Sequence, residues 1–468
     1  MARGRELEMT SGAILPRLLQ MAIPLILSSI LQLLFNAADI VVVGNFGSEH
    51  SLAAVGSTFA LMNLITTVFL GLSLGANKLV AYYWGATDYD RVARTVHSSI
   101  VLGALGGVFM FATAYYGART ILIWMQTPIE ALDLATQYLR VCAYGMVAVT
   151  LYNFGAAILR AKGDTQRPLI YIIIAGAVNV VLNVVFVVSY KLDVKGVALA
   201  TVLSQYLSAF LVLWALARET DAFRLQWRKL RLETAIVWEI LRVGVPAGVQ
   251  GVVFSLSNVV IQSAVNGFGP IVMAGSAAAA SIEAFVWMSM NAFTQCALTF
   301  TSQNVGAKRY DRVGKVCLCC CASTFTVGVI AGNLAYLFGP MLLNLFDHRS
   351  EVIDAGMTRL FMVCCFYAIC GLMDCLIGVI RGLGYNVTPT IIALVGACGL
   401  RLIWIGTLFQ IPRFHTVASL FLTYPASWLA TLAAAYCFYV YVRRAEPCEE
   451  PDVKISRRSK ARCHSANC

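Results

Sequence analysis

Charged side chains are the scarcest class in this chain: 13% of 468 residues, against 59% hydrophobic. An ordinary soluble domain carries roughly 25% charged residues, so an apolar core under a polar shell is excluded. Histidine is sparse as well, with five residues at His50, His97, His348, His415 and His464, scattered among loops, helix ends and tail. That dispersal leaves no metal-ligand pair and no Ser/His/Asp arrangement, and no Walker loop is present, so a membrane-embedded enzyme and direct ATP drive are both disfavoured. A ring of acids or a Gly-rich carbonyl filter is missing too, which argues against a selective pore. The apolar stretch after MARGRELEMTSGAILPRLLQ is too long for a signal-peptide core and lacks a small-residue cleavage site, so it is expected to persist.

Long apolar runs take the place of these features, and the mean hydropathy is +0.74. A span needs roughly 20 apolar residues. Twelve candidates lie near 18–43, 52–76, 95–117, 134–158, 168–189, 196–217, 243–266, 271–301, 316–343, 357–380, 390–411 and 416–442. The fold class expected is an all-α membrane protein with the lipid bilayer as its partner. A net charge of +11 would suggest nucleic acid in a soluble chain, yet here the cations sort by side. With both termini inside, only Arg119, Lys191, Lys195, Arg349, Arg359 and Arg413 fall outside, and Arg140 and Arg401 lie within spans. The positive-inside rule then puts both termini in the cytoplasm of a multi-pass inner-membrane protein, with no nucleic-acid partner and a monomeric state expected. The fifteen cysteines, including the run Cys317, Cys319, Cys320 and Cys321, sit mostly within spans, where Cys behaves as a small apolar residue. No metal site is expected from them, and Cys448, Cys463 and Cys468 on the tail read as reduced thiols.

An internal repeat orders the chain. GATDYDRV at 85–92 returns as GAKRYDRV at 306–313, an offset of 221, and Arg160, Gly163 and Pro168 fall on Arg381, Gly384 and Pro389 at the same offset. At 222, Pro24, Asn36, Phe46 and Gly47 meet Pro246, Asn258, Phe268 and Gly269. Each half therefore reads as a six-helix bundle, and an even helix number makes the repeats parallel, related by a pseudo-two-fold axis along the membrane normal. The boundaries are an N-terminal lobe 1–217, a basic linker 218–242 lying as an amphipathic stretch on the cytoplasmic surface, a C-terminal lobe 243–442 and a cytoplasmic tail 443–468. The two Tyr-Asp-Arg motifs read as structural hinges or gates at helix ends.

Polar residues inside a membrane are costly and face a cavity or the bundle interior. Ser28, Gln32, Asn36 and Asp39 share one face of the first helix. Asn63, Thr66, Ser73 and Asn77 follow on the second, Asn179 and Asn183 on the fifth, and Thr201, Ser204 and Ser208 on the sixth. Interhelical packing is the plainer reading of the Ser and Thr members. Asp39 is the only charge on its stripe. Desolvation makes such a carboxylate able to load and release a proton, or it can ligate a small cation such as Na+ with Asn36, Asn179 and Asn183; the plainer role is an ion pair with Arg140. Coupling is expected to be one-sided, because position 261 of the second half is Ile and its first helix shows Ser255, Asn258, Gln262 and Asn266. Glu283, about 18 Å deep, and Arg401, about 15 Å deep, are expected to form a structural ion pair. Gln32, Asn63, Asn258, Gln262, Glu283 and Asp374 are candidates for a substrate cavity, Asp374 near its cytoplasmic mouth. Tyr144, Tyr152, Trp287 and Phe293 could meet flat cations, though membrane aromatics more commonly pack.

IPLILSSILQLLFNAADIVVVGNFGSEHSLAAVG at 23–56, LRAKGDTQRP at 159–168, QNVGAKRYDRVGK at 303–315 and IRGLGYNVTP at 380–389 together resemble the multidrug and toxic compound extrusion (MATE) family, near its bacterial DinF-like and MepA-like branch. The resemblance covers nearly the whole chain. It implies two six-helix lobes, alternating access, and antiport of H+ or Na+ against small organic, commonly cationic, compounds, with no further cofactor. It also implies that the first-helix acid, here Asp39, carries the coupling ion. Many members of that branch have an Asp four residues after the fifth-helix Asn; this chain has Asn179 and Asn183, so the second acid is missing. No Glu stands on the seventh helix, where another branch carries one for Na+. A flippase for a lipid-linked precursor is the alternative, disfavoured because Arg401 is the main cation at mid-span.

Overall fold

The computed structural model describes residues 7–46, 51–125, 127 and 129–445. Among them there is no strand, and twelve helical stretches are long and apolar enough to cross a membrane. The first half holds α1 (Ile14–Phe46), α2 (Ser51–Gly85), α3 (Tyr89–Trp124), α4 (Ile129–Lys162), α5 (Gln166–Asn183) and α6 (Asp193–Ala217). The second holds α7 (Thr234–Asn266), α8 (Pro270–Gly306), α9 (Tyr310–Leu337), the short α10 (Gly339–Asn344), α11 (Ser350–Cys364), α12 (Tyr367–Gly382), α13 (Val387–Ala393), α14 (Leu400–Gly406) and α15 (Val417–Ala445). The tenth span is α11 and α12 in series, and the eleventh runs from α13 to α14 through a π-helical turn, Val387–Gln410 in all. Another π turn, Val184–Ser189, extends α5. The membrane-facing surface is apolar, with Phe109, Leu318 and Ile403 among its exposed side chains.

The lobes exchange their first helices at one end. Ile14, Leu18, Met21 and Leu25 of α1 pack into the core built by α8, α9, α12 and α15, whereas Ile236 and Ile240 of α7 pack into the core of α2, α4 and α6. Glycines allow the close crossings this requires. A Cβ on Gly71 would lie 2.3 Å from the Gly248 nitrogen, which brings α2 against α7 backbone to backbone.

The linker lies at this end, with Arg224, Arg228, Lys229 and Arg231 exposed and its apolar side turned to the protein. Phe223 and Leu225 enter the first-lobe core. Lys162, 2% exposed, binds Glu219 at 2.7 Å and Asp221 at 2.6 Å, and Arg167 reaches Glu219 at 2.6 Å. These ion pairs pull the apolar residues inward. Helix α7 begins at Thr234, so the extended part of the linker is shorter than the charge pattern suggested. Arg94 closes on Glu233 and holds its carboxyl below the usual value through their hydrogen bond. The Tyr-Asp-Arg repeat opens α3 and α9 but serves differently in each. Asp88 caps α3 by accepting from the Arg91 amide, and Arg91 reaches the Tyr83 hydroxyl; Arg312 instead holds the carbonyls of Ser11 and Gly12.

Candidate functional site

Asp39 lies on α1 where that helix leans on α5. The lean is set at Gly176, whose missing Cβ would sit 1.8 Å from the Phe35 ring. Across this contact the Asn183 amide donates to Asp39 Oδ1 at 2.5 Å and to Asn179 Oδ1 at 3.3 Å. From α6 the Thr201 hydroxyl lies 3.3 Å from Asp39 Oδ2 and 2.9 Å from the Val197 carbonyl, so its single hydrogen serves one acceptor at a time. The Asn179 amide donates to that hydroxyl at 3.4 Å. Asn183 Oδ1 is buried with no hydrogen-bond partner. Tyr138 and Cys142 of α4 close the back, near enough to feel the Asp39 charge. One carboxylate, two side-chain amides and a hydroxyl thus meet from three helices, with the Asn183 N–H facing Asp39. The carboxylate could take up a proton as it stands, and a rotation of the Asn183 amide would turn its unpartnered oxygen towards a small cation.

Sequence spacing brought three of the four members into view. Thr201 was set aside as packing, and the signal that singles it out is its place on α6 opposite the Asp39 stripe. Asn36 is exposed and is not among the side chains bonded to Asp39. Arg140 is exposed too and lies over the Tyr115 ring at 5.6 Å, so it is not the partner of Asp39.

In the second lobe one expectation is overturned. Glu283 does not pair with Arg401. It forms a two-pronged pair with Arg359, Nε to Oε1 at 2.7 Å and Nη2 to Oε2 at 2.8 Å, while Arg359 Nη1 reaches the Ser276 hydroxyl at 2.7 Å. Hydropathy placed Arg359 outside, but α11 begins at Ser350 and carries it well into the helix, against α8. Arg401 instead donates to the Ser427 hydroxyl at 3.0 Å and Asn258 Oδ1 at 3.5 Å.

Asp374 lies on α12. It is half-buried, within Coulombic reach of Arg381 and Arg401, and its recorded hydrogen bond comes from the Cys370 thiol at 4.0 Å. Gln32 and Asn258 are exposed on α1 and α7, and Gln262 is half-buried with its amide on Asn266 at 3.0 Å. The Asn63 side chain lies outside the described residues. Tyr152 and Phe293 are buried, whereas Tyr144 and Trp287 are exposed. The cysteines among the described residues are free thiols, no group of His, Cys, Asp and Glu there could hold a metal, and the tail cysteines are outside the described residues.

Polar contacts between the lobes gather at the linker end. Thr299 donates to Asn77 at 2.9 Å, Gln303 to the Ala161 carbonyl at 2.7 Å and Arg160 to Gln295 at 2.7 Å. Gly85 and Gly306, equivalent in the repeat, each let the other helix's backbone approach: an added Cβ would lie 2.0 Å from the Gln303 and Tyr82 oxygens respectively. Away from that end, Gln32 and Asn36 of α1 and Asn258 and Asn266 of α7 are exposed.

The family model MatE matches this chain twice, at residues 24–185 and 246–405, one copy in each lobe. The chain belongs to the MatE family. It is therefore a multi-pass membrane transporter and not an enzyme, as its composition suggested. A Bacillus subtilis relative, the "Probable multidrug resistance protein YoeA", is 26% identical over 90% of this chain and 92% of its own length. A "FAD transporter" of Shewanella oneidensis is 22% identical over 92% and 95%. Among solved structures, the outward-facing conformation of a multidrug resistance MATE family transporter aligns with a TM-score of 0.86, at 20% identity, covering 95% of this chain and 99% of that one. The MatE fold accounts for the two-lobe arrangement.

Proposed function

We propose that this MatE protein is an efflux transporter that exports organic compounds in exchange for H+ or Na+, with the coupling ion carried by Asp39. The observation that carries the proposal is the closed polar group on α1, α5 and α6. A lone carboxylate there, bonded by the Asn183 amide and reached by the Thr201 hydroxyl, has neutral groups around it and no counter-cation among its hydrogen-bond partners. Loading it with a proton or Na+ removes a charge from a low-dielectric site, and that change can bias how α1 packs between the lobes. With both termini in the cytoplasm, the linker end is the cytoplasmic side, and the contacts there support a state closed on that side. Rocking of the lobes would then expose the cleft to either face.

The names of relatives support export of varied organic cargo. A cationic part of such cargo has support from the first-lobe side, where Gln32, Asn36 and Asp39 offer oxygen atoms. The second lobe supplies none from Glu283, which Arg359 neutralises. Asp39→Asn should abolish gradient-driven dye efflux in inverted vesicles while leaving the amount of membrane-inserted protein unchanged. Varying H+ and Na+ independently assigns the ion. Unimpaired export by that variant would refute the role of Asp39.

A further inference from the structure

The repeat gives the second lobe a counterpart of the Asp39 group, and its charge is reversed. Pro168 and Pro389 correspond at an offset of 221. The π turn Leu394–Gly399 then adds one residue to the eleventh span, since a π turn holds one more residue than an α turn. Beyond it the offset is 222, so Arg401 stands at the position of Asn179. On the first helix of each half, also at 222, Asn258 answers Asn36 and Ile261 answers Asp39. A carboxylate has been removed and a guanidinium added.

That guanidinium is 2% exposed. Its hydrogen-bond partners, Ser427 and Asn258, are neutral, and it rests on the faces of Tyr424 at 4.3 Å, Trp428 at 5.7 Å and Phe254 at 6.0 Å. Aromatic faces attract a cation but do not neutralise it. Arg381 is also buried and bonded to neutral groups, Gln250 at 2.6 Å and Thr390 at 3.2 Å, and its Nε has no partner. Among the described residues, Asp374 is the acid whose charge both feel, and Glu283 is matched by Arg359. Two guanidinium groups thus share one carboxylate, and no ion pair joins either of them to an acid among the described residues. An uncompensated buried charge is costly unless a counter-charge arrives. Asn258, exposed on α7, is the bonded partner of Arg401 that reaches the surface.

We infer that Arg401, with Asn258 in front of it, is a subsite for an anionic group of the transported compound, a carboxylate or a phosphate. Cargo for this chain is then zwitterionic or anionic, with its negative end on the second lobe. The inference rests on the export reading, and its test does not need export.

Two xanthene dyes that differ by one ester methyl, rhodamine 110 with a free carboxylate and rhodamine 123 as its methyl ester, can be titrated into the purified full-length chain in nanodiscs and followed by anisotropy. The free acid should bind at least about tenfold more tightly, the size of one charge-assisted hydrogen bond. Asn258→Asp should bring the ratio to about one without lowering the melting temperature, because it gives Arg401 an internal counter-charge. Arg401→Gln should also remove the preference, and Arg401→Lys should keep part of it. The inference is overturned if the wild type binds neither dye or the ester at least as tightly, if both removing variants keep the preference, or if they weaken both dyes equally. Absence of ion-driven efflux with the binding preference intact would fault the export reading alone.

Discussion

Asp39 and Glu283 are both acids inside apolar helices, and what separates them is the company each keeps. Glu283 meets a guanidinium in two-pronged geometry, with Ser276 taking a third donor of Arg359, so its charge is matched where it stands. Asp39 has amide and hydroxyl neighbours and stays available to a mobile ion. Breaking a buried pair from one side leaves the other charge stranded, whereas replacing both members can be nearly neutral. Glu283→Gln should therefore cost about 3–5 kcal/mol of stability, and Glu283→Met with Arg359→Met should cost far less. Melting of the purified protein in detergent reads both; equal losses would remove the pair as a structural unit. Asp39 was legible because one charge on a stripe of amides stands out. Arg359 was not, because it stands at the edge of the 357–380 apolar run and hydropathy does not show that α11 starts at Ser350.

At the scale of the helix, the site depends on how closely α1 can lie on α5. Gly176 sets that distance, and nothing in its sequence neighbourhood distinguishes it from other glycines of the chain. Gly176→Ala would place a methyl inside the Phe35 ring. Overpacking of this kind costs about 1–3 kcal/mol and shifts helices, so Asp39 should lose its bond to Asn183. Vesicle efflux should fall at least about tenfold, which needs only 1.4 kcal/mol at the coupling step, and Phe35→Ala in the same chain should restore much of it. No recovery in the double variant would show that Gly176 matters for another reason. The linker teaches the same lesson. Its basic run stands exposed, and what the run does not reveal is that Lys162, on a different element, gathers Glu219 and Asp221 beside the buried Phe223.

For the molecule as a whole, the exchange of α1 and α7 between lobes makes their relative position a property of both halves at once. Closure at the linker end is held by Asn77 with Thr299, by Gln303 with the Ala161 carbonyl, and by glycine crossings that tolerate no side chain. Cysteines at 77 and 299, oxidised to a disulfide, should lock this end shut and stop efflux, and reduction should return it. Transport that persists in the fully crosslinked protein would show that the linker end need not open.

Sequence by itself determined the class of this protein: too few charges for water, twelve apolar runs, a repeat that divides them into two like halves, and one acid on a polar stripe. Those are properties of composition and period, which lipid imposes span by span. Tertiary structure alone decided the partners. It gave Glu283 to Arg359, left Arg401 among neutral groups, and placed Thr201 beside Asp39. Contacts between spans depend on helix rotation, on glycine crossings and on π turns that shift the register by one residue, none of which hydropathy records.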